Sequence, residues 1–130
     1  MTIHHIGYLV KKIDKAIKIF EALGYEKGEI IYDDFRRIDL CFLEKDGYVI
    51  ELVSPRGDSM ANLMKRLGNS PYHICYTAAN IARASEELIS KGFVMCDAPH
   101  EAVALENKKV CFFIHPYMGM IELLEGGPEK

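Results

Sequence analysis

Two histidines and two glutamates recur at matching places in this chain, and together they offer the ligands of a metal site. Near the N-terminus the chain reads His4-His5-Ile6-Gly7-Tyr8, and later Tyr72-His73-Ile74-Cys75-Tyr76. A shift of 68 positions sets His5 on His73, Ile6 on Ile74, Tyr8 on Tyr76, Ile13 on Ile81, Ala16 on Ala84 and Gly24 on Gly92 without a gap. Val49-Ile50-Glu51-Leu52-Val53 returns as Met120-Ile121-Glu122-Leu123-Leu124 at a shift of 71. Self-similarity of this kind marks two copies of one module. Each copy opens with a histidine and closes with a glutamate, both in apolar runs. Strand alternation then puts one carboxylate on an otherwise apolar face in each copy. Left unpaired and buried, each would cost several kcal/mol. A divalent cation removes that cost for both and suits neutral imidazole nitrogens as well. A lone strand histidine is more often a satisfied core residue, and a lone glutamate usually faces water. Recurrence of both types at both positions is what selects the metal reading.

The elements that position these residues can be read from periodicity. Ile3 to Val10 reads as a strand with His5, Gly7 and Leu9 on one face. Ile13, Ala16, Ile17, Phe20 and Leu23 then mark one face of a helix that Gly24 ends. Tyr25 to Tyr32, Arg36 to Leu43 and Tyr48 to Val53 read as strands, the last two joined by a Glu44-Lys45-Asp46-Gly47 turn. The module is β-α-β-β-β. Ser54 to Asp58 breaks the pattern, and Ser59 to Leu67 reads as a short amphipathic linker helix. The second module repeats the plan. Tyr72 to Thr77 is a strand, and Asn80 is the N-cap of a helix over Ile81 to Lys91 whose apolar face is Ile81, Ala84, Ser85, Leu88 and Ile89. Phe93 to Cys96 is a short strand. Asp97 to Asn107 has no period, and its His100 is a candidate substrate contact. Lys108 to Ile114 and Met118 to Leu124 close the module, and Gly126 to Lys130 reads as a loose tail.

The chain has 130 residues, which suits one domain with a real core, and 49% of them are hydrophobic, so it is neither disordered nor fibrous. No apolar run is long enough to span a bilayer, and Met1-Thr2-Ile3-His4 carries no secretory signal, so a cytoplasmic protein without membrane partners is expected. A net charge of -3 with interspersed signs gives no footprint for nucleic acid. Cys41, Cys75, Cys96 and Cys111 form no C-x-x-C pair and are expected to be reduced core thiols. The basic pairs Arg36-Arg37 and Lys108-Lys109 read as repeat-equivalent strand positions, most simply solvated, although a phosphorylated ligand such as coenzyme A could use them.

The repeated motifs His4-His5-Ile6-Gly7, Ile13-Asp14-Lys15-Ala16-Ile17, Val49-Ile50-Glu51-Leu52, Tyr72-His73-Ile74-Cys75 and Ile121-Glu122-Leu123-Leu124 resemble the vicinal oxygen chelate superfamily (glyoxalase I, bleomycin resistance proteins, extradiol dioxygenases, methylmalonyl-CoA epimerase). The resemblance runs from Ile3 to Glu125. It implies an α+β fold in which two tandem βαβββ modules form a cupped, incomplete barrel around a metal site. Module 1 would be residues 3–54 and module 2 residues 71–125, within a single domain over residues 1–130. It implies His5, Glu51, His73 and Glu122 as ligands of one divalent ion, of Zn, Ni, Co or Mn type, and a homodimer. The linker Glu51-Leu52-Val53-Ser54-Pro55 and the His115-Pro116 turn are similar to the epimerases. Ala102 to Asn107 departs from the epimerases' Gly-Ala-His-Gly-like loop, and Phe35, with Asp33 and Asp34 alongside, stands where they carry a glutamate. The reading is a metal-dependent isomerase or lyase that moves a proton next to the carbonyl of a small carbonyl or thioester substrate, like methylmalonyl-CoA epimerase, with Glu122 and Glu51 as catalytic carboxylates. The alternatives are a glyoxalase I-type lactoylglutathione lyase and a non-catalytic small-molecule binding protein of the same fold.

Overall fold

The protein is described by a computed structural model over residues 1–127; Pro128, Glu129 and Lys130, the end of the expected loose tail, lie outside the described residues. The chain divides into two compact units, one of residues 5–72 and one that joins Met1–His4 to the chain from His73 onward. Both are mixed α+β, as the periodicity predicts.

The unit of residues 5–72 contains β1 (Thr2–Leu9, which starts in the other unit), α1 (Ile13–Ala22), β2 (Glu26–Asp33), β3 (Ile38–Lys45), β4 (Tyr48–Pro55) and α2 (Ala61–Leu67). Its strands run in the order β2-β3-β4-β1, antiparallel except for β1 beside β4. A parallel neighbour needs a crossover, and α1 begins it. The helix seals Ile13 and Ile17 against Val10, Cys41, Leu43, Ile50 and Leu52. Asp46 and Gly47, at φ 54° and 82°, make a two-residue hairpin, which only residues tolerant of left-handed backbone can form.

The second unit contains β5 (Ser70–Ala78), α3 (Ile81–Ser90), β6 (Val94–Met95), β7 (His100–Ala102), a 3-10 turn (Val103–Leu105), β8 (Lys108–His115) and β9 (Gly119–Glu125). The order is β5-β9-β8-β6, with β5 parallel to β9 and β7 also on β8. One face packs Ala84 and Leu88 of α3 on Cys111, Phe113, Ile121 and Leu123. On the opposite face Cys75, Ala102, Val110 and Leu124 form a smaller cluster with Leu105.

The stretch expected to be irregular, Asp97 to Asn107, therefore holds a strand and a helical turn. Both β6 and β7 pair with β8, where the first copy has the single strand β2 on β3. The strand is interrupted at Cys96-Asp97-Ala98-Pro99, where proline offers no N–H to a ladder. Asp97 fills the gap: the Phe112 N–H donates to its Oδ1 at 2.7 Å. Three residues are too few to display a period, which is why β7 escaped the sequence reading.

Other boundaries shift for local reasons. β3 starts at Ile38, because Arg37 is left-handed at φ 56°; Arg36 and Arg37 thus lie in a turn and not in a strand. The linker helix starts at Ala61, since Met60 is left-handed at φ 56°, and the Ser59 hydroxyl donates to the Arg36 carbonyl at 2.9 Å. Leu23 and Ile89, read as apolar-face residues, are exposed: Leu23 has become the C-cap of α1, and Ile89 lies beside the buried stripe of Ala84, Ser85 and Leu88. Cys41, Cys75 and Cys111 are buried and form no disulfide, whereas Cys96 is exposed, because it sits at the strand break. Burial pushes the Cys111 thiol up to about 11. No helix among the described residues is long and apolar enough to cross a membrane.

Two outcomes test this description. The Asn80 side chain accepts from the Arg83 N–H at 3.0 Å, while Lys12, at the same position of α1, makes no side-chain cap. Asn80→Ala is expected to lower stability to urea by about 1 kcal/mol, and Lys12→Ala to leave it nearly unchanged. A thiol reagent should modify Cys96 in the native protein and reach Cys41, Cys75 and Cys111 only on unfolding, as peptide mapping would show.

Candidate metal centre

In the first unit the functional pair comes from two neighbouring parallel strands. Ile50 and Leu52 turn toward α1, so alternation sends Glu51 to the other face of β4. The register sets Glu51 between Gly7 of β1 and Phe42 of β3. Gly7 has no side chain beside the carboxylate, and His5 lies two residues earlier on the same face of β1. His5 Nε2 lies 3.4 Å from Glu51 Oε1. Their fractional exposures are 1% and 5%, which puts the carboxylate in a place where it needs a cation or hydrogen-bond donors. The rings of His5 and Phe42 meet nearly at right angles, 79°, with centroids 5.4 Å apart.

The second unit builds the same pair again. Ile121 and Leu123 pack toward α3, and Glu122 faces away. Its neighbours are Cys75 on β5 and Phe112 on β8. His73 Nε2 lies 3.1 Å from Glu122 Oε1, and both side chains are buried. The His73 and Phe112 rings are perpendicular at 90°, again with centroids 5.4 Å apart.

All four expected ligands are therefore buried, and each histidine directs Nε2 at the glutamate of its own unit. They are among the described residues whose donor atoms could hold a metal ion. The donor chemistry fits: imidazole nitrogens and carboxylate oxygens are ligands for divalent transition metals. Burial without such a partner is the costly alternative.

The remaining candidates have other surroundings. Arg36 is half-buried and donates from Nη1 to Oδ2 of buried Asp33 at 2.9 Å, while Oδ1 of Asp33 accepts from the Arg36 N–H at 3.0 Å. Arg37, Lys108 and Lys109 are exposed. His100 is half-buried on β7, with Nδ1 2.9 Å from the Glu101 carbonyl oxygen. The two basic pairs are not repeat-equivalent. Phe42 faces Glu51 and Phe112 faces Glu122, so β3 and β8 correspond at a shift of 70, and Lys108 and Lys109 match Ile38 and Asp39. Left-handed Arg37 matches left-handed Asn107 by the same shift.

Phe42 and Phe112 were missed in the sequence. The signal was present as the dipeptides Cys41-Phe42 and Cys111-Phe112, which a shift of 70 superposes. It was hidden because neither 68 nor 71, the shifts of the flanking motifs, brings these dipeptides together.

Comparison with known proteins bears on the fold and the family. A search of the curated proteins finds no match. Among solved structures, a hypothetical protein of Bacillus halodurans C-125 is similar, with a TM-score of 0.83, 20% identity and coverage of 99% of this chain and 96% of that one. Methylmalonyl-CoA epimerase of Mycobacterium tuberculosis matches with a TM-score of 0.80, 23% identity and coverage of 98% and 89%. A variant of Streptomyces coelicolor methylmalonyl-CoA epimerase in complex with 2-nitronate-propionyl-CoA matches with a TM-score of 0.81, 17% identity and coverage of 98% and 99%. At such identities these likenesses concern the fold. The sequence model described as the glyoxalase/bleomycin resistance protein/dioxygenase superfamily matches residues 4–112, and with this span of the chain covered, the protein belongs to that superfamily.

Proposed function

We propose that His5, Glu51, His73 and Glu122 together bind one divalent metal ion, and that the chain acts as a single-domain, metal-dependent isomerase that epimerises a carbon next to a carbonyl. The observation that carries this reading is the doubled contact: a buried imidazole lies 3.4 Å from one buried glutamate and another lies 3.1 Å from its counterpart, on repeat-related strands. One such pair is an ordinary buried contact; the same pair built twice is a ligand set. Zinc, nickel, cobalt and manganese all accept these donors. When bound, such an ion supplies Lewis-acid polarisation of a substrate oxygen.

The protein's own residues supply the rest. His5 and His73 act as ligands only. Glu122 and Glu51 are in addition the candidates to take a proton from the substrate carbon and return it. Two carboxylates on repeat-related strands suit a reaction in which either face of that carbon is protonated, which is the requirement of an epimerase. A small thioester is the favoured substrate class, in keeping with the coenzyme A derivative bound to the Streptomyces coelicolor relative. A coenzyme A phosphate would find its cations among the exposed side chains of Arg37, Lys108 and Lys109, with Arg36 and His100 as weaker contacts.

His73→Ala is expected to abolish metal binding and turnover while the far-ultraviolet circular dichroism stays native, because the helix-facing clusters carry the packing. Global unfolding of the metal-free protein would instead make the ion structural. Glu122→Gln should keep much of the metal, since an amide oxygen still coordinates. It should lose roughly 10²–10⁴-fold in turnover, since an amide accepts no proton. The assay is solvent deuterium uptake into each enantiomer of methylmalonyl-CoA, with methylglyoxal plus glutathione as the competing substrate. Glu51→Gln is the matched variant: full activity at saturating metal would leave Glu51 a ligand only. Full activity of Glu122→Gln would remove Glu122 as the base.

A further inference from the structure

The glutamates of the two copies have the same neighbour on the side away from the histidine strand. Phe42 stands opposite Glu51 and Phe112 opposite Glu122. Each phenyl ring meets the imidazole of its own unit nearly at right angles, at 79° and 90°, with the same centroid separation of 5.4 Å. The two copies have diverged at most positions around them. Gly7 has become Cys75, Leu9 has become Thr77, and Leu43 has become Phe113. The face-to-edge pairing has nonetheless kept one geometry in both.

An imidazole two bonds from its backbone can rotate about Cα–Cβ and Cβ–Cγ. The quadrupole of a facing ring favours a perpendicular approach within about 4.5–7 Å and disfavours the flat one. A phenyl ring so placed limits the second of those rotations. It holds Nε2 toward the carboxylate with no polar group of its own to compete for a cation. Neither ring is a ligand, and neither lies on the helix-packed side of its sheet, where Cys41, Leu43, Cys111 and Phe113 are clustered.

We infer that Phe42 and Phe112 are positioning residues for metal binding, each pre-orienting the Nε2 of its histidine. This rests on the four-ligand reading given above. A ring pair of this kind changes an equilibrium by up to about tenfold, so each loss should weaken metal binding by about that factor, and the two together by more.

The experiment is a titration of metal-free protein with Co(II), followed by its visible absorption. The proteins are the wild type, Phe42→Leu, Phe112→Leu, the double variant and the two Phe→Tyr variants. Leucine fills most of the space without an aromatic face, and tyrosine keeps the ring. The expected result is a dissociation constant raised about tenfold in each leucine variant, a broadened or shifted ligand-field band, and recovery of both in the tyrosine variants. Melting temperatures of the metal-free proteins are read alongside, because a ring that served packing alone would lower them and leave the Co(II) affinity and spectrum as in the wild type. That pattern would overturn the inference, and so would unchanged affinity in the double variant. Where a leucine variant fails to fold, the tyrosine variant and Phe→Met at the same position carry the comparison. A wild type that takes up no Co(II) would instead overturn the four-ligand reading itself, which this design keeps separate.

Discussion

The function proposed for this fold depends on one unfavourable placement: a carboxylate on the apolar side of a strand, nearly closed to solvent, beside an imidazole. An isolated ion in such a place is among the most costly groups a protein can bury. The fold tolerates it because the neighbours are arranged around it. A small residue on the next strand makes room, a histidine two positions earlier points at it, and an aromatic ring stands on the far side. The helix contributes from the opposite face by removing the alternate residues, Ile50 and Leu52 or Ile121 and Leu123, from water. A shift of one residue in the strand register would reverse these assignments. The packing of the helices thus fixes which way the glutamates point.

The duplication provides its own internal control. Features shared by both copies, such as the His–Glu contact, are what the two modules have in common. Features present in one alone reflect divergence. The N-cap at Asn80 has no counterpart at Lys12, and the long strand β2 answers to two short ones. The tied-down Asp33–Arg36 turn belongs to the first copy, where the Arg56 N–H and the Ser59 hydroxyl donate to the carbonyls of Arg37 and Arg36.

Much of this was legible because periodicity and repetition are both visible without contacts. The strand faces of His5, Glu51, His73 and Glu122 followed from alternation, and the two helices from their apolar stripes. The turn at Asp46-Gly47 followed from backbone tolerance. What escaped depended on pairing between strands. The equivalence of Phe42 with Phe112 exists only in the ladders that β3 and β8 form with β4 and β9. The strand status of His100 to Ala102 depends on β8 offering an edge, and the exposure of Cys96 on the break that Pro99 imposes. The mistaken equation of Arg36-Arg37 with Lys108-Lys109 arose the same way, from composition read without register.

The three shifts that relate the copies, 68, 70 and 71, also say where the chain can change length. Residues were added between the first helix and the third strand, where β2 is matched by two pieces, and at the last hairpin. There Asp46-Gly47 joins Lys45 to Tyr48, and Pro116-Tyr117-Met118 joins His115 to Gly119. Within the strands that carry His5, Glu51, His73 and Glu122 the spacing is unaltered. Growth of the polypeptide has been confined to connections, where one more residue lengthens a loop, and kept out of the ladders, where it would turn each later side chain to the opposite face. The hairpin around Tyr117, which is 95% exposed, is therefore the natural place to graft a foreign segment without disturbing the buried acids.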